Sequence, residues 1–325
     1  MRKRFASARL AAACLCLCLL HAEPARACSV CLPGDPVFSG AGSSAQEQGS
    51  FLLYLEARGY GKQSGGLPHE AGEDEHELTE ESRGERLDLY ASWAPLDRFT
   101  FTLDVPVVWN RIVAMHEDER TRSTLSGLGD VALSSSVVLW RERPVLPSRW
   151  LEGRVWLKAP TGRDETEVDG ERDPHLQPGT GSWDFGLGLA AIQRLDWGAL
   201  HGSVFRRWNQ HGSLDYRYGD VWLASLGLEA ALGHLLGLPS LDVLTPGLGL
   251  DFRYAGYDEQ DGERYEDSGG AILYASPSLR VKLPLGAPER PASLRFAVQL
   301  PLGQTWLHNR QYEKAVWSVG VLAPF

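Results

Sequence analysis

The sequence predicts an all-β fold: a closed antiparallel transmembrane β-barrel of about twelve strands, with long extracellular loops and short periplasmic turns. Three observations predict it. The N-terminus reads as an export signal, apolar and polar residues alternate with a period of two along much of the chain, and long polar connections tend to alternate with short ones.

The export signal comes first. Arg2, Lys3, Arg4 and Arg9 precede an apolar run, Leu10 to Leu20, and Ala25-Arg26-Ala27 forms a small-x-small cleavage site before Cys28. Residues 1–27 are therefore expected to be a cleaved signal peptide, residues 28–50 a periplasmic lead-in, and residues 51–325 the barrel. No later segment approaches the roughly eighteen to twenty continuous apolar residues of a membrane helix. Mean hydropathy is −0.24, which excludes a helical membrane protein but not a barrel, where only alternate strand residues meet lipid. A net charge of −10 argues against a nucleic-acid partner, whose footprint is a basic patch.

In the mature chain only Cys28 and Cys31 remain, as Cys28-Ser29-Val30-Cys31. An exported pair this close is a local disulfide, an idle pair, or half of a soft-metal site. A c-type haem signature needs His where Leu32 stands. Lipoprotein processing at Cys28 is a further reading, although Ala25 occupies the place where a lipobox prefers Leu.

The strands follow in order. Phe51, Leu53, Leu55 and Ala57 alternate with Tyr54, Glu56 and Arg58, and Leu87, Leu89, Ala91 and Trp93 with Arg86, Asp88 and Tyr90. Between them, Gly61 to Gly84 is polar and strongly acidic and reads as an external loop. A short turn, Ala94 to Asp97, leads to a third strand with Phe99, Phe101, Leu103, Val105, Val107 and Trp109 on one face. Pro106 lacks a ladder donor there and calls for a bulge. A polar connection, Arg111 to Ser126, precedes a strand over Gly127 to Trp140, and a fifth strand covers Trp150 to Pro160. After the charged loop Thr161 to Thr180, strands are expected near Gly181–Arg194, Trp197–Trp208, Tyr218–Leu232 and Leu241–Tyr254. A polar loop from Ala255 to Gly270 separates these from strands that place Leu273 to Leu283 and Leu294 to Leu302 outward. The last strand turns Ala315, Trp317, Val319, Val321, Ala323 and Phe325 to one apolar face. A terminal aromatic on such a strand resembles the assembly signal of outer-membrane barrels, which assigns that role to Phe325. Trp93, Trp109, Trp140, Trp183, Trp208 and Trp222 fall near strand ends, where aromatic girdles sit.

Three short phrases carry a wider resemblance: Gly127-Leu128-Gly129-Asp130 opening a strand, Leu176-Gln177-Pro178-Gly179-Thr180-Gly181-Ser182-Trp183-Asp184, and the Cys pair followed by Gly34-Asp35-Pro36. The chain resembles a family of outer-membrane transporter-like barrels catalogued as components of a phenol-degradation (MetA) pathway. That resemblance implies passage of a small solute across the bacterial outer membrane.

For a closed barrel, alternation assigns Glu56, Arg58, Asp88, Asp104, Arg154, Lys158, Glu229, Asp251, Arg253, Arg280, Lys282 and Arg295 to the lumen. Acids dominate the second and third strands and bases the later ones, so the charges either set up a transverse field or pair and fill the interior. His69 and His76 in the acidic loop are weak metal candidates beside Cys28 and Cys31. No Gly-x-Ser-x-Gly, His-Glu-x-x-His or phosphate loop occurs, and no cofactor is expected. The expected function is therefore a non-enzymatic channel or transporter passing a small solute by passive diffusion, with aromatic or hydrophobic compounds as the candidate class. Its expected partners are outer-membrane lipid, the barrel-assembly machinery and that solute. A structural or surface-interaction barrel with a plugged lumen is the alternative, and an outer-membrane hydrolase using His201 and Ser203 the third reading.

Overall fold

A computed structural model describes residues 48–64, 80–116, 119–144, 147–170, 172–265, 268–287, 290–304, 307 and 312–325. The signal segment, Cys28, Cys31, His69 and His76 lie outside them. The wall begins with β1 (Phe51–Ser64), β2 (Glu80–Leu96), β3 (Phe99–His116), β4 (Glu119–Leu128), β5 (Ala132–Arg141) and β6 (Arg149–Lys158). It continues through β7 (Asp184–Leu195), β8 (Gly198–Trp208), β10 (Val221–Ala230), β11 (Leu244–Ala255), β14 (Gly270–Ala287), β15 (Arg290–Gly303), β16 (Tyr312–Glu313) and β17 (Val316–Pro324). A separate small sheet joins β9 (Tyr216–Arg217), β12 (Asp258–Gln260) and β13 (Glu263–Tyr265). With β4 and β5 sharing one place in the wall and β16 continuing into β17, the result is a closed antiparallel barrel of 12 strands.

Closure runs through β1, which pairs with β2 on one side and β17 on the other: Leu55 lies opposite Leu89 and also opposite Val321. Phe51 and Phe325 exchange both backbone bonds, at 3.2 and 2.7 Å. No sheet edge is left along this seam, as a hydrocarbon environment demands of strands.

Alternation sorts the side chains inside out. Leu226, Leu248 and Leu302 are 62%, 60% and 60% exposed on the outer surface, whereas Glu56, Asp88 and Arg253 are buried within. Exposed apolar surface this extensive is unlike that of a soluble monomer and matches a lipid-facing band. Trp93 and Trp140 lie outward towards the end that holds the termini, and Trp109, Trp183 and Trp222 towards the distal end. No helix among the described residues is long and apolar enough to cross a membrane.

Several boundaries differ from the sequence reading. β1 reaches Ser64 and β2 starts at Glu80, so both flanks of the expected acidic loop are strand. Residues 111–116 and 119–126 are strand, not loop: β3 and β4 pair from Val107↔Leu128 to His116↔Glu119. On β3, Arg111 is followed by the continuous apolar run Ile112 to Met115, and β4 opens with Glu119, Arg120 and Arg122, so neither strand alternates there and the pattern reads as a connection. The expected fourth strand is broken between Leu128 and Ala132. β3 pairs with β5 through Asp104 and with β4 from Val107, so Pro106 stands opposite the break and its carbonyl accepts from Gly129 N at 2.9 Å. The missing proline donor is thus accommodated by a broken partner strand rather than by a bulge. At the termini end, the β10–β11 connection is longer than a turn and includes a helix, Leu232–Leu236.

Candidate functional site: a loop folded into the lumen

The broken strand is the foundation of the site. Leaving the ladder, Gly129 and Val131 expose a carbonyl and an N–H that need partners. The Thr161 hydroxyl donates to Gly129 O at 3.3 Å and accepts from Val131 N at 2.8 Å. Between them Asp130 turns its carboxylate towards the β6–β7 loop, where it accepts from Gly162 N at 3.0 Å, Thr180 N at 2.9 Å and Thr180 Oγ1 at 2.8 Å. Lys158 Nζ lies 3.1 Å from Asp130 and 2.5 Å from Asp184. Backbone approaches backbone here. A Cβ added to Gly162 would lie 2.7 Å from Gly179 Cα, and one added to Gly179 the same distance from Gly162. Two of the phrases singled out in the sequence, Gly127–Asp130 and Leu176–Asp184, therefore meet in one knot.

From this knot the loop enters the barrel. His175, Leu176 and Gln177 are buried. On β3, the Asn110 amide donates to Leu176 O at 3.3 Å and Gln177 O at 3.1 Å. The Gln177 side chain accepts from Thr166 N at 2.9 Å and donates to Thr166 O at 2.8 Å, stitching the loop to itself. The small sheet and the residue after its first strand cover it: Tyr218 OH donates to Pro174 O at 2.9 Å, and His175 Nε2 meets Tyr216 OH at 2.9 Å. Tyr216 in turn donates to Asp258 Oδ2 at 2.6 Å. The segments read as plain polar loops, Thr161–Thr180 and Ala255–Gly270, thus form a roof.

Below the roof, charges pair rather than segregate. Asp88 receives Arg58 at 2.7 Å and Arg86 at 2.5 Å, Arg86 also reaches Asp104 at 3.4 Å, and Glu56 lies 3.9 Å from Arg58. Arg154 pairs with Glu152 at 3.3 Å, Arg280 with Glu229 at 2.8 Å, and Arg253 with Glu313. Asp251 accepts from Gln299 Nε2 at 3.0 Å and from Ser276. Arg295 lines two smaller pockets near Glu56 and Asp251. Lys282 is exposed, beside a register irregularity of the β14–β15 pair. Removing one partner of a buried pair leaves a charge that the low dielectric cannot tolerate, so pairing fixes these groups in place.

Asp104, Arg58 and Lys158 also line a cavity of about 120 Å³ under the roof, together with Trp156, Phe205 and Arg207. Arg86, Asp130, Asn110, Gln177 and Arg207 were absent from the sequence-derived set. Arg86 alternates with the outward Leu87 and was legible by periodicity, while the loop residues carry no periodic signal at all. His201, the histidine of the hydrolase reading, faces inward with its ring against Gly227 and not onto the outer wall. Among the described residues, no cluster of three or more His, Cys, Asp or Glu is disposed to hold a metal.

No family model and no curated protein matches the sequence. Solved structures do match the fold. An outer membrane channel from Pseudomonas putida F1 superposes with a TM-score of 0.61 at 18% identity, covering 86% of this chain and 97% of that one. By fold, the chain is an outer-membrane β-barrel. Lower likenesses include a Pseudomonas aeruginosa FadL homologue, with a TM-score of 0.46 and 11% identity over 90% of this chain and 94% of that one. The translocator domain of the autotransporter NalP from Neisseria meningitidis matches with a TM-score of 0.44 and 13% identity over 88% and 92%.

Proposed function

We propose that this barrel is a channel of the bacterial outer membrane that passes a small solute by passive diffusion, with its termini in the periplasm and its roofed end outward. The observation that carries the reading is the cavity under the roof: the lumen is not packed solid, and the segment above it is held by side-chain bonds rather than by a strand ladder. The P. putida barrel of the same fold is itself a channel. Lining groups of both kinds, Trp156 and Phe205 beside Arg58 and Lys158, favour a solute with an apolar body and a polar handle. The phenol-degradation family is favoured by the two phrases that meet at Asp130. In this reading the chain performs no chemistry, takes no cofactor, and enters the membrane through the assembly machinery by its Phe325 strand.

Reconstitution tests the reading. Folded protein in liposomes is expected to pass single-ring solutes in a swelling assay and to give small conductance steps in planar bilayers. Silence in both overturns the channel. The plugged-barrel alternative draws support from the Asp130 knot and predicts that the intact protein is silent while a variant lacking residues 165–176 conducts.

A further inference from the structure

The cavity under the roof has a lining of two kinds. The rings of Trp156 and Phe205 meet edge to face with centroids 6.3 Å apart, and Val108, Val221 and Leu223 add to the apolar part. Beside them stand four cations, three of which have carboxylate partners: Arg58 on Asp88, Arg86 on Asp88 and Asp104, Lys158 on Asp130 and Asp184. Arg207 differs. It follows Phe205 by two residues on β8, and its guanidinium carbon lies 6.0 Å from the Trp156 ring centre. Its Nε is buried with no hydrogen-bond partner, and among the described residues no carboxylate pairs with it. Of the four cations that line this cavity, Arg207 is the one without a carboxylate partner among the described residues.

Size narrows the class of guest. A cavity of about 150 Å³ holds benzene when apolar, and this one is about 120 Å³, so a single six-membered ring is the scale and a fused ring or long acyl chain is not. A neutral hydrocarbon leaves the Arg207 donors unmet, and a bare inorganic anion leaves the Trp156–Phe205 wall wet. A planar carboxylate answers the guanidinium fork with two parallel bonds. We propose that the cavity binds a single-ring aromatic carboxylate, its carboxylate on Arg207 and its ring against Trp156 and Phe205. The inference deepens the channel reading and rests on it for the ligand's presence in the lumen.

The test is calorimetric titration of the folded full-length protein with benzoate, with benzyl alcohol as the neutral ring and acetate as the ringless anion, on wild type, Arg207→Gln and Arg207→Lys. The expected result is saturable benzoate binding at least tenfold tighter than either control, weakened at least tenfold by Arg207→Gln and less by Arg207→Lys. Equal binding of benzyl alcohol or acetate, unchanged affinity in Arg207→Gln, or no saturable binding overturns it. If Arg207→Gln does not fold, the ranking on wild type decides. Liposome swelling separates this from the channel reading: benzoate binding without solute flux sinks the channel and spares the site, and flux without benzoate binding does the reverse.

Discussion

Thr180 gives both of its donors, the backbone N–H and the side-chain hydroxyl, to one carboxylate oxygen of Asp130, at 2.9 and 2.8 Å. Bonds to an ionised acceptor are the strong ones, and these two tie a loop to a wall across 50 residues of chain. Replacing Asp130 by Ala is expected to release the loop while the barrel persists. Limited trypsin digestion checks this: wild type resists, and the variant is cut after Arg163 or Arg172 with the remaining chain protected. Asp130→Asn, which keeps an acceptor oxygen but loses the charge, is expected to fall between.

Gly179→Val is expected to reproduce the Asp130→Ala phenotype by a different route. Its side chain meets the backbone of Gly162, which has nowhere to retreat because Gly129 lies behind it. Overpacking of this kind costs about 1–3 kcal/mol, enough to unseat a loop without melting a barrel. Trypsin sensitivity of the loop with unchanged far-UV circular dichroism is the signature to look for.

The lumen pairs predict a contrast in stability. Asp88→Ala takes the nearest carboxylate from both Arg58 and Arg86 in a buried site, leaving Glu56 at 3.9 Å from Arg58 and Asp104 at 3.4 Å from Arg86, and is expected to cost about 3–5 kcal/mol. Lys282→Gln, at an exposed position, is expected to stay within about 0.5 kcal/mol. Urea unfolding in lipid vesicles, followed by tryptophan emission, measures both.

Acid is expected to loosen the distal end of the β1–β2 pair before the rest of the wall. Beyond the Trp109 girdle, Glu81 is held below the usual carboxylate range by its hydrogen bond from Lys314, with Arg83 adding to the effect against a smaller desolvation penalty. A folded-state value below the unfolded one means stabilisation that is present above the unfolded value, about 4.3, and fades as pH falls through the folded value. Protection at Gly61 to Gln63, with the intrinsic pH dependence of amide exchange divided out, is expected to fall on acidification in wild type and to be insensitive to acid over the same range in Glu81→Gln. An identical acid response in the variant removes Glu81 from the explanation.

Deleting Phe325 removes two backbone bonds to Phe51 and a ring contact at 6.2 Å. Each bond contributes about 0.5–1.5 kcal/mol, so the truncated barrel is expected to be folded but assembled more slowly. The folded fraction against time, read by heat-modifiable migration on gels, checks it.

Much of the wall was legible in the sequence because lipid imposes a two-residue code. Leu89, Phe101, Leu250 and Val321 are outward for the reason that made them readable, and their neighbours Asp88, Thr102, Asp251 and Gly320 take the other face. Where lipid stops, so does the code. The pairing of β3 with β4 from Val107↔Leu128 to His116↔Glu119 is as regular a ladder as any other, yet its residues carry no alternation to read.

By itself, then, the sequence determined a chain that crosses a membrane in strands, since periodicity is local and each residue declares its own face. Only the tertiary structure decided what the lumen holds. The Asp130–Thr180 tie, the pairing of Arg58 with Asp88, and the seat of Arg207 beside Trp156 all join residues distant in the chain. Such contacts depend on which strand ends up across the cylinder, and closure of the barrel, not local pattern, sets that.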